Sequence, residues 1–134
     1  MLKDIPQLVV ENLALAAVQE QIPEGGTEWN VYLINLYDQR IEGVLVSSTG
    51  YGSYEGKDVK TSTLRHLIGT VESKDYAKIE MIQENLFGLS NEYWVSFYLN
   101  NMMYDKKYIF LPESIVEDNL TTIPVMNKKG VMIR

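Results

Sequence analysis

The chain has 134 residues, of which 46% are hydrophobic and 22% charged, and this composition predicts a single folded domain over residues 1–134 rather than a disordered chain. Eighteen acidic against twelve basic residues give a net charge of −6, which argues against general binding to nucleic-acid backbones. The sequence holds no cysteine and one histidine, which excludes disulfides, thiolate catalysis and cysteine-ligated metal sites.

The start of the chain lacks the pattern of a secretory signal, which requires an uninterrupted apolar run after a basic start. Its apolar candidate, residues 8–18, is interrupted by Glu11 and Asn12. No stretch approaches the roughly 20 apolar residues of a membrane span. We therefore expect a cytoplasmic protein without a membrane partner.

The first half of the sequence predicts extended strands separated by turns. Residues 12–19 are apolar and of strand length, and the segment 23–26 that follows is rich in proline and glycine. Residues 29–37 carry apolar side chains on both faces, which is typical of a strand buried on both sides. A turn at 38–40 leads into a β-branched return strand at 41–48.

The middle of the sequence contains one glycine-rich and one ambiguous segment. The stretch from Gly50 to Gly56 predicts a connecting loop, and residues 61–71 predict a strand because of their threonines. In residues 73–87 apolar positions recur at helical spacing, but 78–82 also alternate as a strand does. Because the neighbouring segments are extended, we favour a strand followed by a turn or short helix.

The last third predicts two hairpins. In residues 93–99 the side chains of odd-numbered positions are apolar and share one face. A turn at 105–107 is expected to return the chain into a strand at 108–111. The final hairpin is expected to join 123–126 to 131–133 through a turn at 127–130. Taken together, the pattern predicts an all-β or β-dominated α+β fold of six to eight antiparallel strands, a sandwich or open barrel with at most one short helix.

The segment Trp29-Asn-Val-Tyr-Leu-Ile-Asn35 follows an apolar strand and a proline-containing loop, and a return strand comes directly after it. This arrangement resembles the small β-domain that accompanies Smr domains in some bacterial proteins. The resemblance covers the first 50 residues and includes no catalytic motif. It implies a sandwich-like fold and an associating role, and it assigns no functional residue.

The sequence contains no recognisable catalytic or metal-binding motif. The glycines at 50, 52 and 56 have neither the G-x-G-x-x-G nor the P-loop spacing. His66 stands alone, without a G-x-S-x-G or H-E-x-x-H motif. The acidic group Glu113, Glu117 and Asp118 lacks the alternating ligands of a calcium loop, and it is typical of a solvated turn. We therefore expect no catalytic residue, metal or cofactor, and an enzyme is kept as an alternative hypothesis.

The leading functional hypothesis is a non-catalytic module that binds a protein partner or a second copy of itself. Aromatic and methionine residues, which are favoured at interfaces, concentrate in residues 93–110. The candidate interface residues are Trp94, Tyr98, Met102, Met103 and Tyr104.

Two other hypotheses remain open. A small-molecule-binding protein or enzyme would have its pocket near the glycine-rich segment, and its candidate binding residues are Tyr51, Tyr54, Lys57, Arg65 and His66. A single-stranded nucleic-acid binder would use the aromatic residues as a stacking platform. The acidic total makes nucleic acid the less favoured partner.

Overall fold

The computed structural model describes residues 8–134, which form a sandwich of two antiparallel β-sheets. Its ten strands are β1 (Leu13–Gln21), β2 (Thr27–Asn35), β3 (Ile41–Tyr54), β4 (Lys57–Lys60), β5 (Leu64–Val71), β6 (Tyr76–Ile82), β7 (Ser90–Leu99), β8 (Met102–Phe110), β9 (Thr121–Ile123) and β10 (Lys128–Ile133). Helical structure in the described residues is limited to two short 3₁₀ turns, Glu84–Leu86 and Glu117–Asn119. The all-β prediction is confirmed, with more strands than expected.

The two sheets have different strand orders. The first sheet runs β6-β2-β1-β10-β9, and the second runs β4-β3-β7-β8, with β5 also paired to β3. The long strand β3 pairs with β5 through its first half and with β4 through its last residues, so β4 and β5 lie on the same side of it. Strands β5 and β6 follow each other in the chain but belong to opposite sheets. This crossing brings side chains of both sheets together at one edge of the sandwich.

The main core lies between the sheets and follows from the two-residue period of the strands. In β7, Tyr93, Val95 and Phe97 are fully buried, whereas Trp94 and Tyr98 face outward and are exposed. The predicted division of this strand into two faces is therefore confirmed. The hydroxyl of Tyr108 on β8 also donates a hydrogen bond of 2.7 Å to the Leu13 carbonyl, which joins the two sheets.

Part of the outer face of the first sheet is buried as well. A second hydrophobic cluster there contains Ala14, Ala16, Val18, Ile34, Ile123 and Met126. The small side chains of β1 pack there with Ile123 of β9 and with Met126 of the turn that follows it. This covering explains why the sequence of β2 is apolar on both faces, as predicted.

The prediction of a connecting loop from Gly50 to Gly56 is wrong over most of its length. Residues 50–54 continue β3, and only Glu55 and Gly56 turn the chain. A Cβ atom on Gly50 would lie 3.2 Å from the Thr61 side chain, and one on Gly52 would lie 3.2 Å from Leu89. The glycines therefore allow neighbouring segments to approach the strand closely, rather than ending it.

The expected turn at 105–107 is also wrong, because these residues lie within β8. The hairpin turn is formed by Asn100 and Asn101, which have φ angles of 53° and 62°. Asparagine tolerates this left-handed conformation, and a two-residue turn of this kind matches the twist of the flanking strands. Lys106 and Lys107 instead lie on an edge strand, where lysines oppose unwanted strand pairing.

The structure also settles the ambiguous segment 73–87 and corrects the position of the final turn. The ambiguous residues 73–87 form β6 followed by a 3₁₀ turn, as favoured. The final turn comes three residues earlier than expected, at 124–127, and Lys128–Ile133 forms β10. Gly130 lies inside that strand because it packs tightly against β1.

The close packing at Gly130 generates a stability prediction. An alanine Cβ there would lie 2.8 Å from the Ala17 carbonyl oxygen and 3.0 Å from a Val18 methyl group. We expect Gly130→Ala to lower the free energy of unfolding by about 1–3 kcal/mol, measured by urea denaturation. Gly88→Ala is the control, because its Cβ would meet only the Glu113 carboxylate at 3.4 Å. Equal stability of the two variants would contradict this packing.

Candidate functional site

A β-bulge in β6 turns a carboxylate into the space between the sheets. Lys78 pairs with Tyr32 and Glu80 pairs with the adjacent Val31, so Ile79 is the extra residue. In an unbroken strand, residues 78 and 80 would share a face. The bulge instead leaves Lys78 on the outer face and directs Glu80 inward, with only 15% of its side chain exposed.

Glu80 accepts hydrogen bonds from three strands of the second sheet. Ser48 Oγ on β3 donates to Oε1 at 2.7 Å, and Tyr93 OH on β7 donates to Oε2 at 3.0 Å. His66 Nε2 on β5 lies 2.7 Å from Oε1, and because an ionised carboxylate only accepts, that nitrogen carries the hydrogen. One side chain of the first sheet thus holds three strands of the second.

This network keeps Tyr93 neutral and its hydroxyl available as a donor. Burial raises the pKa of Tyr93 well above its ordinary value, and the charge and hydrogen bond of Glu80 raise this pKa further.

The arrangement of Ser48, His66 and Glu80 differs from that of a serine hydrolase, in which the histidine takes the serine proton. Ser48 and His66 each bond to the same oxygen of Glu80, and in the described part of the chain no hydrogen bond joins them to each other.

A cavity of about 290 Å³ opens beside Glu80, at the edge where the two sheets meet. Its lining combines hydroxyl groups and two carboxylates with the apolar surface of two leucines. The lining residues are Ser48, Thr49, Gly50, Thr61, Ser62, Leu64, Glu80, Leu86, Asn91, Glu92 and Tyr93. A cavity of this size lies at the small end of the range for small-molecule sites.

The outer face of the second sheet forms a separate candidate site, an open groove of about 550 Å³. Tyr51, Arg65 and Trp94 line it together with Lys60, Glu92 and three hydroxyl side chains, those of Ser47, Thr49 and Thr63. The Lys107 ammonium lies 5.7 Å from the Trp94 ring centroid and 3.8 Å from the Glu92 carboxylate. The groove therefore presents an indole ring among several cationic groups.

Apolar side chains extend this face beyond the groove. Leu67 is 79% exposed and pairs with Leu45, while Tyr98 pairs with Met103. The Tyr98 ring lies over Gly43, where a Cβ atom would approach it to 3.2 Å. We call the exposed set Leu45, Tyr51, Leu67, Trp94, Tyr98 and Met103 the outer aromatic face.

The structure separates the candidate binding residues. Arg65 faces the groove with Tyr51, whereas His66, the next residue on β5, faces Glu80 between the sheets. Lys57 is exposed at the start of β4, opposite Tyr54 in the hairpin. Arg65 and His66 therefore lie on opposite sides of the second sheet instead of lining one pocket.

The candidate interface residues lie closer together than the candidate binding residues do, on the paired strands β7 and β8. Trp94 and Tyr98 are 46% and 47% exposed on the outer aromatic face, and Met103 lies beside Tyr98. Met102 is exposed at the start of β8. Tyr104 is different, because its ring stacks on the buried Phe97 at 5.4 Å and packs against the main core.

A second polar cluster surrounds Glu20 on the outer face of the first sheet. Its carboxylate accepts hydrogen bonds from Asn30, Tyr32 and Lys128. Burial alone would raise the pKa of Glu20, but these hydrogen bonds, led by that of Lys128, outweigh burial and hold the pKa below its ordinary value. Across residues 8–134, the one buried side-chain polar atom without a partner is Oδ1 of Asn30.

Sequence reasoning did not identify Glu80, Ser48 or Tyr93 as site residues. Glu80 lies in an alternating segment that places it with Lys78, as an ordinary solvent-facing pair. The only signal in the sequence is a lone histidine in an apolar context, and His66 does contact Glu80. Nothing in the residues between 76 and 82 marks the bulge.

Within residues 8–134, no group of three or more His, Cys, Asp or Glu side chains is placed to hold a metal ion. The described residues also contain no helix with the length and apolar character needed to span a membrane. No family model, curated protein or solved structure matches the chain.

The Glu80 network generates a second stability prediction. Tyr93→Phe removes a donor to a buried carboxylate, so we expect the free energy of unfolding to fall by about 1–3 kcal/mol. Tyr98→Phe is the matched control, because the exposed Tyr98 lies on the outer face of the same strand. Thermal or urea unfolding measures both variants. Equal losses in the two would contradict a stabilising bond from Tyr93 to Glu80.

Proposed function

We propose that this chain is a non-catalytic protein-interaction module whose binding surface is the outer aromatic face. The observation that carries the proposal is the exposure of Trp94 in the middle of a central strand, with Arg65 and Lys107 beside it. Tryptophan, tyrosine and arginine are the residues that most often dominate binding energy at protein interfaces. A buried role in the fold does not explain these side chains, since the core lies on the opposite face of β7.

The composition of the face supports a protein partner with apolar side chains. The face carries leucine, methionine and aromatic residues on β5, β3, β7 and β8, including the cross-strand pairs Leu67–Leu45 and Tyr98–Met103, with Ser96 and Asp105 between these pairs. Exposed apolar side chains surrounded by polar ones are typical of interaction sites. The rigid strands hold the side chains in place before binding, which lowers the entropic cost of association.

The charges around Trp94 favour an acidic partner. Lys60, Arg65 and Lys107 lie around the groove with a single lining carboxylate, Glu92, although the whole chain carries a net charge of −6. Near Tyr98, Glu42 forms an ion pair with Arg40, and Asp105 is exposed opposite Ser96 on the neighbouring strand. A symmetric homodimer through this groove would bring two cationic groups together. We therefore favour a different, acidic protein over a second copy.

A direct test uses two labelled peptides of the same apolar pattern. One alternates glutamate with leucine and tyrosine, and its twin carries lysine at each glutamate position. We expect the acidic peptide to bind, with fluorescence anisotropy as the measurement, and the lysine twin not to bind. Trp94→Ala removes the central aromatic contact and should weaken binding by at least about thirtyfold, the equivalent of about 2 kcal/mol. Arg65→Glu should weaken it as well, because it reverses a charge in the groove.

The matched control is Tyr76→Ala, which removes an exposed ring from the outer face of the first sheet. This variant should bind the acidic peptide as the unchanged protein does. Equal binding of both peptides, or equal losses in Trp94→Ala and Tyr76→Ala, would overturn the proposal. Dimerisation abolished by Trp94→Ala would identify a second copy as the occupant. Binding of single-stranded DNA at about 50 mM salt would favour the nucleic-acid hypothesis instead.

A further inference from the structure

The cavity between the sheets has the features of a small-molecule site that is independent of the outer aromatic face. Glu80 lines this cavity, and its hydrogen-bonding capacity is incompletely used. Oε1 accepts from Ser48 and His66, whereas Oε2 accepts only from Tyr93. Because an ionised carboxylate accepts about four hydrogen bonds, Oε2 retains room for one more donor.

The lining of the cavity determines which donor fits. Its charged side chains are Glu80 and Glu92, and the described lining includes no lysine or arginine. Glu92 lies 3.8 Å from Lys107 of the outer face and Glu80 lies 2.7 Å from His66, and Glu80 is the more enclosed of the two carboxylates. Ion pairs in partly buried positions are stronger than those in open water. A cationic donor therefore matches this cavity better than an anion or a neutral group.

The other lining residues indicate the rest of the ligand. Leu64 and Leu86 supply an apolar surface, and the Ser62 hydroxyl supplies a further acceptor, whereas the Thr61 hydroxyl already accepts the Gly50 N–H at 2.8 Å. A primary ammonium group has three N–H donors and no acceptor, as the lysine side chain does. A volume of about 290 Å³ limits the attached group to a small one.

The main groups of the site are held in place by the fold. Ser48, Glu80 and Tyr93 lie on strands β3, β6 and β7, and the bulge at Ile79 fixes the direction of Glu80. Sites built on strands keep their geometry better than sites built on loops. We propose that this cavity binds a small primary amine with an apolar substituent, whose ammonium group donates to Oε2 of Glu80.

Benzylammonium is the probe, and benzyl alcohol is its neutral counterpart of similar shape. Two-dimensional ¹H–¹⁵N NMR of the full chain follows the backbone amides during titration at millimolar concentrations. We expect saturable shifts at Gly50, Thr61 and Asn91 with benzylammonium, and much smaller shifts with benzyl alcohol. Shifts that are equal for both probes, or that do not saturate at these amides, would overturn the proposal.

Two variants identify the contribution of Glu80. Glu80→Gln keeps the shape but removes the charge, and it should weaken benzylammonium binding by at least about tenfold. Glu24→Gln makes the same charge change at an exposed turn and should leave binding unchanged within about twofold. Unchanged affinity in a folded Glu80→Gln protein would overturn the proposal.

A further variant retains Glu80 in case its replacement unfolds the protein. Ser62→Lys places an ammonium at the exposed rim of the cavity, where it competes with the ligand for the carboxylate. We expect benzylammonium binding to weaken by at least about tenfold in this variant. Unchanged binding in folded Ser62→Lys would contradict the proposed position of the ammonium group. Thr49 and Glu92 line both the cavity and the groove, but none of these results depends on the peptide experiment, because its variants change side chains outside the cavity lining.

Discussion

A single carboxylate between the sheets constrains how this sandwich closes at one edge. Glu80 belongs to the first sheet, but its hydrogen-bond partners Ser48, His66 and Tyr93 all belong to the second. Leaving such a group without partners would cost several kcal/mol, so the strands that carry the donors must stay close to β6. The cavity beside Glu80 lies at this same edge of the sandwich.

The same architecture gives the second sheet two chemically different faces. Its inner face supplies hydroxyl and imidazole donors to a carboxylate, while its outer face exposes Trp94, Tyr98 and neighbouring apolar side chains. Adjacent residues of one strand serve different sites, as Arg65 and His66 show on β5. A two-residue period thus separates a surface suited to a protein partner from a cavity suited to a small cation.

The sequence predicts the strands and their faces better than it predicts the site. Alternation in β7 is regular, so the inward position of Tyr93 and the exposure of Trp94 follow from the residues alone. Glycine misled the interpretation at Gly50 and Gly52, where it allows close packing within β3 instead of a loop. Glu80 could not be predicted, because one inserted residue at Ile79 reverses its face and a bulge has no fixed sequence pattern.

A double-mutant cycle between Glu80 and His66 tests most directly whether the carboxylate joins the two sheets. Stability is measured for the unchanged protein, for Glu80→Ala and His66→Ala, and for the double variant. We predict a coupling free energy of about 1–3 kcal/mol, because each single change leaves a partly buried polar partner unsatisfied. A coupling within about 0.3 kcal/mol of zero would mean that the two residues contribute independently, which would contradict this account.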